Sequence, residues 1–516
     1  MAASSRAGSF ADIGVRLRHW LDSPARLFWR VIGWLGATLV FYGLIGVLGG
    51  PTEGDAGETV YSTWSIAHGN LGCAYPKATV LHFDNLTNPF ALTAPLYTLI
   101  TGAASALLRI GHTVTFPSQQ QLGPSCDHAF VAMLHWSANS GAILPTVRLS
   151  YLMWPILMTG VIALLRAAGR GRQRWELLAL LMVACTPTVW MCITYFFHPE
   201  DLLTLGLVLA GVACSLRKRW FWSGVLLGLA CSAQQFALLV AAPLLVVATG
   251  RHRFKYLAGA VMTVAIIDIP IIVATSGRAI RTLILGSSRV GVINRSTGGT
   301  VLWETDLRAV PLFLLSRVAP IVASMALAWW ASKRLGKRVL DPVPLISLVA
   351  TSFAFRLVFE ENLFGYYLMA VSVALIVLDV ARGQLRGTVL AWIALVTVAF
   401  NPVHAGFLSN LTGHTLELYY ALPIVVLGIV VATVVFDAIY GRIRVYKLAW
   451  IVIVLVASES RLYGQKNDII YAPHWLWQVV LAPIALGLAV KPLLESIKSG
   501  TPSIPIDEND FVSPKF

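Results

Sequence analysis

Three carboxylates stand within a stretch of six residues, directly after the first long apolar run of the chain, in the segment GGPTEGDAGETV. They are Glu53, Asp55 and Glu58. Asp55 and Glu58 are spaced so that they share one face of a helix. A carboxylate can take a proton from a reacting hydroxyl group as a general base. The structural alternative is a capping box formed by Thr52 and Asp55 at the start of a helix.

Two further groups of polar side chains lie at the edges of later apolar runs. The segment FHPEDLLTLG carries His198, Glu200 and Asp201, and the segment FRLVFEENLFGYY carries Arg356, Glu360 and Tyr366. Charged side chains are expensive to place at this depth of a membrane and often have a function there. The structural alternative for FHPED is a helix start, because proline and acids are favoured in the first turn.

The elements that position these residues are apolar helices. Of the 516 residues, 57% are hydrophobic and only 12% are charged, and the mean hydropathy is +0.72. These values predict an all-α polytopic membrane protein. We identify no cleaved signal peptide. We assign the net charge of +14 to cytoplasmic loops rather than to nucleic-acid binding.

Apolar segments predict about 14 transmembrane helices. They lie near 28–48, 142–168, 176–197, 200–216, 220–234, 235–250, 256–275, 309–331, 342–359, 363–380, 387–402, 419–440, 446–459 and 474–490. Some are short, so the pair within 220–250 is expected to be tilted or broken. If 91–109 does not cross, the basic clusters 170–174, 217–219, 251–255, 333–338, 382–386 and 442–447 all share the cytoplasmic side.

This topology places both termini inside and a long first loop, 49–141, outside. Within that loop, Val60, Trp64 and Ala67 recur at helical spacing and the pattern stops at Gly69, which predicts an interfacial helix. Because the charge bias argues against a crossing at 91–109, this segment is predicted to be a second helix that lies in the outer interface. The other external segments are 196–201, 276–308, 360–367, 403–418 and 460–473. We find no P-loop or dinucleotide fingerprint. An enzyme of this plan would therefore use a membrane-soluble activated substrate.

The cysteines divide by location. Cys73 and Cys126 are the two in external loops, and an oxidising space favours a disulfide between them. Four others lie in apolar runs, where they are expected to pack: Cys185, Cys192, Cys214 and Cys231. We find no CxxC pair that would indicate a zinc or thioredoxin-type site.

The order of these motifs resembles the GT-C membrane glycosyltransferases, and most closely glycosyltransferase family 87, which uses polyprenyl-phosphate sugars. An acid follows the first span, HPED opens a later span, WFWSGVLLGLACSAQQFALLVAAP follows, and RLVFEENLFGYYL comes last. The resemblance covers roughly 49–380. It implies a catalytic module over 28–380 between a cytoplasmic N-terminus, 1–27, and variable C-terminal helices, 381–490. The tail 491–516 is predicted to be cytoplasmic and disordered.

The resemblance also implies a mechanism and a set of site residues. Asp55 matches the family's general base best, with Glu53 and Glu58 as alternatives. The donor would be a polyprenyl-phosphate sugar, with mannose or arabinofuranose expected, and the acceptor a cell-envelope glycan or glycolipid on the outer face of the plasma membrane. Residues expected to bind substrate are Glu58, His198, Glu200, Asp201, Arg356, Glu360 and Tyr366. A divalent metal at clustered acids is compatible with the family, but no ligand spacing requires one.

External arginines run against the charge bias of the loops. Four of them, Arg278, Arg281, Arg289 and Arg295, lie in the segment 276–308. Together with Arg356 they are candidates to bind the prenyl phosphate, because a guanidinium group binds phosphate through paired donors. The alternatives are a solvated face and lipid-headgroup contact.

Two other classes of function compete with the enzyme. The first is a transporter or flippase of a lipid-linked glycan, for which we find no internal repeat. The second is a non-catalytic scaffold of an envelope assembly complex. A role for Asp55 in turnover would separate the enzyme from both.

Overall fold

A computed structural model gives the architecture of the chain. It describes residues 15, 19–23, 27–48, 53–75, 94–110, 126, 149–194, 197–281, 310–360, 365–387, 389–390, 392–393, 396 and 474–499. These residues are mostly helical and include no strand, which confirms the predicted all-helical class. The predicted spans 419–440 and 446–459 lie outside the described residues, and so does most of 387–402.

The described part of the chain contains 14 helices of eight residues or more, numbered here in chain order. The first seven are α1 Leu27–Leu48, α2 Glu53–Ala67, α3 Pro95–Ile110, α4 Met153–Ala167, α5 Gln173–Ala184, α6 Pro187–Thr194 and α7 Pro199–Leu216. The rest are α8 Trp220–Ala233, α9 Leu238–Val247, α10 Arg251–Ala274, α11 Val310–Leu335, α12 Pro342–Phe359, α13 Met369–Ala381 and α14 His474–Ser499. Short helical turns precede α9 at Gln235–Ala237 and α13 at Gly365–Leu368, and another follows α10 at Arg278–Arg281.

Three of the described helices are long and apolar enough to cross a membrane, namely α7, α10 and α12. A fourth span is added if α5 and the residues Pro187–Ile193 of α6, which meet at 56°, are counted as one broken span. The length and composition of these helices fit a membrane protein. The prediction of about 14 spans stays a prediction.

The predicted break within 220–250 falls at Gln234. This residue has an extended backbone, with φ −161° and ψ 142°, between α8 and the turn Gln235–Ala237. Because α8 has 14 residues and α9 has 10, the two helices are about 21 and 15 Å long. Each is shorter than a hydrocarbon core of about 30 Å.

Two of the basic clusters meet at one end of the bundle. Arg170 Nε donates to the carbonyl oxygen of Ala381 at 2.9 Å, and Arg382 pairs with Glu495 of α14 at 2.8 Å. These contacts fit the prediction that 170–174 and 382–386 share one side. Since α13 ends at Ala381 and begins just after Tyr366, the candidate residue Tyr366 lies at the opposite end of that helix.

The segment 49–141, which is the predicted first external loop, contains the two helices that its sequence predicts. Val60 and Trp64 are buried in α2, and the chain leaves this helix through Gly69, whose φ of +73° suits glycine. The Oγ1 atoms of Thr63 in α2 and Thr101 in α3 are 2.9 Å apart. The two helices therefore pack together as one unit of the loop.

A disulfide between Cys73 and Cys126 joins the two parts of this loop, as the sequence predicts, with a Cα–Cα distance of 5.1 Å. The hydroxyl of Tyr61 donates to the carbonyl oxygen of Cys126 at 3.0 Å. Arg278 donates to the carbonyl oxygen of Gly72 at 2.5 Å, from just beyond α10. The loop is thus attached both to itself and to the end of α10.

Tyr75 completes this attachment. Its ring is fully buried in a small core with Ala74, Ile271 and Ala279. Burial raises the pKa of the Tyr75 phenol well above its usual range, so the group is neutral at any physiological pH.

Helices α4 and α7 approach each other through glycines. A Cβ atom added at Gly206 would lie 2.7 Å from the backbone of Ile156, and a Cβ atom added at Gly160 would meet the backbone of Gly206. Small residues at such contacts allow backbones to approach closely, which is a common way for helices to associate in membranes.

We expect Gly206→Ala to lower the thermal unfolding temperature of the detergent-purified protein, because overpacking of this kind costs about 1–3 kcal/mol. The matched control is Gly36→Ala, since a Cβ atom at Gly36 of α1 would meet nothing within 4 Å. In a helix with open space, this change is expected to be neutral or stabilising. Equal unfolding temperatures for the two variants would contradict the close contact.

Removal of the disulfide is expected to cost about 2–4 kcal/mol of stability. Cys73→Ser, Cys126→Ser and the double variant should lower the unfolding temperature equally, because each removes the same bond. Cys214→Ser, which changes a cysteine that the structure leaves free, is the control. Mass spectrometry of unreduced peptides should find Cys73 and Cys126 linked, and finding both as free thiols would contradict the pairing.

Candidate functional site

Six of the predicted site residues come together at one end of the bundle. They belong to three segments that are far apart in the sequence: the start of α7, the end of α12, and the turn before α13. The six residues are His198, Glu200, Asp201, Arg356, Glu360 and Tyr366.

His198 connects the first segment to the third. Its Nδ1 atom lies 2.9 Å from Glu200 Oε1, and its ring stacks on the ring of Tyr366 with centroids 4.2 Å apart and planes 21° apart. The residue before it, Phe197, has a φ of +50° and a buried side chain. Such a backbone is costly for a residue other than glycine and persists only where the surroundings hold it. The turn that presents His198 is therefore held by the packing of Phe197.

Glu200 and Asp201 are almost completely buried, with 1% and 2% of their surfaces exposed. The first turn of α7 favours their negative charge, because the helix dipole is positive there. The Gln234 side chain, at the tip of the α8–α9 hairpin, hydrogen-bonds to the Asp201 carboxylate. Among the described residues, Glu200 Oε2 and Asp201 Oδ1 have no hydrogen-bond partner.

Glu360 holds two arginines. Arg356 Nε donates to Glu360 Oε2 at 3.0 Å, and Arg317 of α11 lies 3.1 Å from Glu360 Oε1. The Arg356 guanidinium also lies over two rings, 4.1 Å from the centroid of Tyr367 and 5.2 Å from that of Phe236. The structure thus uses Arg356 inside the cluster. Its predicted contact with a prenyl phosphate stays a prediction.

Of the predicted arginine group of 276–308, the structure describes the side chain of Arg278 alone. The Arg278 guanidinium donates to the backbone carbonyls of Gly72 and Thr275, so it secures the first loop. Arg281 lies in the turn Arg278–Arg281, but its side chain is outside the described residues, as are Arg289 and Arg295 altogether.

The predicted base lies near the start of a helix. Asp55 and Glu58 both belong to α2, which begins at Glu53. Their side chains lie outside the described residues, so the choice between a base and a capping box rests on the experiment below. Among the described residues, no group of three His, Cys, Asp or Glu side chains is placed to hold a metal ion.

Three residues of the cluster were missed by the sequence analysis as individual site residues. Gln234 and Arg317 are polar side chains inside apolar runs, and the interruption of those runs was the available signal. Tyr367 belongs to the segment FRLVFEENLFGYY, which was predicted to contribute to the site. Tyr97 of α3 lies within electrostatic reach of Glu200, and only the fold brings these two residues together.

No protein-family model matches this chain, and a search of the curated proteins finds no match.

Proposed function

We propose that this chain is a membrane glycosyltransferase of the GT-C type that moves a sugar from a polyprenyl phosphate to a cell-envelope glycan or glycolipid. The observation that carries the proposal is the convergence of two buried carboxylates, Glu200 and Asp201, with an aromatic pair and a doubly ion-paired carboxylate at one end of a helical bundle. Expensive polar groups at the end of an apolar bundle favour a functional site.

The proposed orientation follows from the charges. With about 14 spans and both termini in the cytoplasm, the basic clusters face the cytoplasm and the cluster of Glu200 faces the outer side of the plasma membrane. The Arg170–Ala381 contact lies at one end of α13 and the His198–Tyr366 contact lies at the other. This separation supports the proposed arrangement. ATP and nucleotide sugars are absent on that side, so a lipid-linked donor supplies the activated sugar.

The proposed reaction is a single displacement. The acceptor hydroxyl gives its proton to Asp55 and attacks the anomeric carbon of the donor. The bond between that carbon and the phosphate oxygen breaks, and polyprenyl phosphate leaves with the electron pair, so the configuration at the anomeric carbon is inverted. Positive groups near the phosphate stabilise the developing charge. Arg278, Arg281, Arg289, Arg295 and Arg356 remain the candidates for that role.

The position of α2 supports a base in the first loop. This helix packs on α3, and Tyr97 of α3 lies within electrostatic reach of Glu200. The loop that carries Asp55 is therefore part of the same end of the bundle as the cluster. Glu58 lies one turn along α2 from Asp55 and is proposed to contact the substrate or a divalent metal.

Transport of a lipid-linked glycan is the second candidate. The break at Gln234 and the 56° bend between α5 and α6 favour it, because transporters often bind their substrates at interrupted helices. Both functions would use the same cluster, so they are separated by whether a glycosidic bond is made.

The test of the proposed base is Asp55→Asn, which keeps the size of the side chain and removes its basicity. Loss of general-base assistance typically lowers the rate by about 10²–10⁴-fold. We expect this loss in the transfer of mannose or arabinofuranose from a polyprenyl-phosphate donor, with an unchanged unfolding temperature. If Asp55 only caps α2, the variant should keep both its turnover and its stability, because the amide oxygen of Asn can still accept the capping hydrogen bond.

The matched control is Asp341→Asn, which changes a carboxylate at the start of α12, at the other end of that helix from Glu360. It should leave turnover unchanged. Near wild-type turnover of Asp55→Asn would remove Asp55 from the mechanism and direct the same test to Glu53→Gln and Glu58→Gln.

Enzyme and transporter are separated by an assay in detergent. A purified transferase joins the sugar to an acceptor glycolipid in micelles, where no membrane separates two compartments. A flippase yields no new glycoside there and instead equalises a labelled lipid-linked glycan across proteoliposomes. Equalisation without a new glycoside in either setting would replace the proposed enzyme with the transporter.

A further inference from the structure

Four buried polar side chains, three near the start of α7 and one on α3, point to a ligand that supplies the hydrogen-bond partners they lack among the described residues. Among the described residues, these oxygens have no hydrogen-bond partner: Tyr97 Oη, Glu200 Oε2, Asp201 Oδ1 and Thr204 Oγ1. Each of the four residues has at most 2% of its surface exposed. Buried polar groups without partners are rare, because each costs free energy.

Three of the four residues lie close together on one helix. Glu200 and Thr204 are four positions apart on α7, so they lie on the same face of the helix, and Asp201 is three positions from Thr204. Tyr97, on α3, lies within electrostatic reach of Glu200. The other oxygen of Glu200 binds His198, whose ring is stacked on Tyr366. Polar groups thus adjoin an aromatic surface, which is the usual lining of a small-molecule site.

The chemistry of the oxygens indicates the class of ligand. A carboxylate oxygen accepts hydrogen bonds, whereas the hydroxyls of Tyr97 and Thr204 both donate and accept. A sugar ring carries several hydroxyl groups that can do both. A phosphate is disfavoured, because Glu200 and Asp201 would repel it and because Arg317 and Arg356 are both ion-paired with Glu360.

A divalent cation fits less well than a sugar. Mg²⁺ requires near-octahedral oxygen ligands, and Ca²⁺ requires six to eight. Within the described parts of the chain, no three His, Cys, Asp or Glu side chains are placed to bind one ion. Arg356, which is paired with Glu360, also brings positive charge within electrostatic reach of Asp201.

We infer that Tyr97, Glu200, Asp201 and Thr204 form a subsite that recognises the hydroxyl groups of an uncharged sugar ring. This inference rests on the proposed function for the choice of a sugar, and it places the phosphate of the donor outside these four residues, toward the candidate arginines. The subsite selects among sugars by the positions of their hydroxyls, because a missing or displaced hydroxyl leaves a buried oxygen without a partner.

The test uses the full-length protein in detergent and two uncharged probes, methyl mannopyranoside and methyl arabinofuranoside. Their dissociation constants are measured by saturation-transfer NMR titration. Tyr97→Phe and Thr204→Val each remove one hydroxyl with little change of shape. We expect each to weaken binding of the preferred probe about three- to tenfold. Neither should lower the unfolding temperature, because the hydroxyl that it removes has no partner among the described residues.

The matched controls are Thr186→Val and Thr351→Val. Both threonines are buried, but their hydroxyls donate to the backbone, to Met182 O at 2.7 Å and to Ser347 O at 2.8 Å. Their removal should leave binding of the probes unchanged. Competition arms with inorganic phosphate and with MgCl₂ should not displace the preferred probe.

Unchanged binding in both Tyr97→Phe and Thr204→Val would overturn the subsite, as would the absence of binding of either probe to the wild-type protein. Displacement of the probe by Mg²⁺ or by phosphate would reassign the oxygens to that ion and would overturn it too. Sugar transfer with unchanged binding in the hydroxyl variants contradicts this inference alone. Probe binding with the expected losses, but without any transfer, contradicts the proposed enzyme alone.

Discussion

The ion pairs of Glu360 are the interaction on which the candidate site depends. A carboxylate removed from water is costly unless opposite charges and hydrogen bonds replace the solvent. Glu360 obtains both from Arg317 of α11 and Arg356 of α12. Tyr367, just before α13, covers the Arg356 guanidinium. Three helices are therefore fixed to one another at the end of the bundle where the other candidate residues lie.

The short hairpin of α8 and α9 links this group to the acids of α7. An interrupted helix leaves backbone groups that must find partners inside the bundle. Gln234 meets part of this need, because its side-chain oxygen accepts from the backbone N–H of Gln235 at 3.0 Å. The same side chain reaches Asp201, and Phe236, two residues on, lies under Arg356. One break in the chain thus positions both halves of the cluster.

Local features of the structure could be predicted from sequence, whereas long-range partners could not. The end of α2 at Ala67 follows from the Gly69 signal, and the break near Gln234 follows from spans that are too short. Arg317 was missed because an arginine in an apolar run can also extend its guanidinium group to the membrane interface without having a role in a site. Arg278 was predicted as a phosphate ligand from its location, and that stays a prediction, but its hydrogen bonds to backbone carbonyls could not be predicted because only the fold supplies these acceptors. The number of spans and the role of Asp55 stay predictions, because they depend on residues or side chains outside those that the structure describes.

Glu200 differs from two other buried acids of the bundle in the pairing of its oxygens. Glu176 and Asp379 are as buried as Glu200, and both of their oxygens have partners. Glu176 accepts from Arg166 and Arg30 at 2.8 and 3.2 Å, and Asp379 accepts from the side chain and the backbone N–H of Arg386 at 2.6 and 2.7 Å.

These two acids hold helices together, and full pairing is what stability requires of them. Glu200 has a protein partner for one of its oxygens, His198, while its second oxygen has none among the described residues. If stability were the sole constraint, an apolar side chain at this position would cost less than a half-paired carboxylate. The unmet oxygen is therefore better explained by a ligand that the protein binds and releases than by the packing of the bundle.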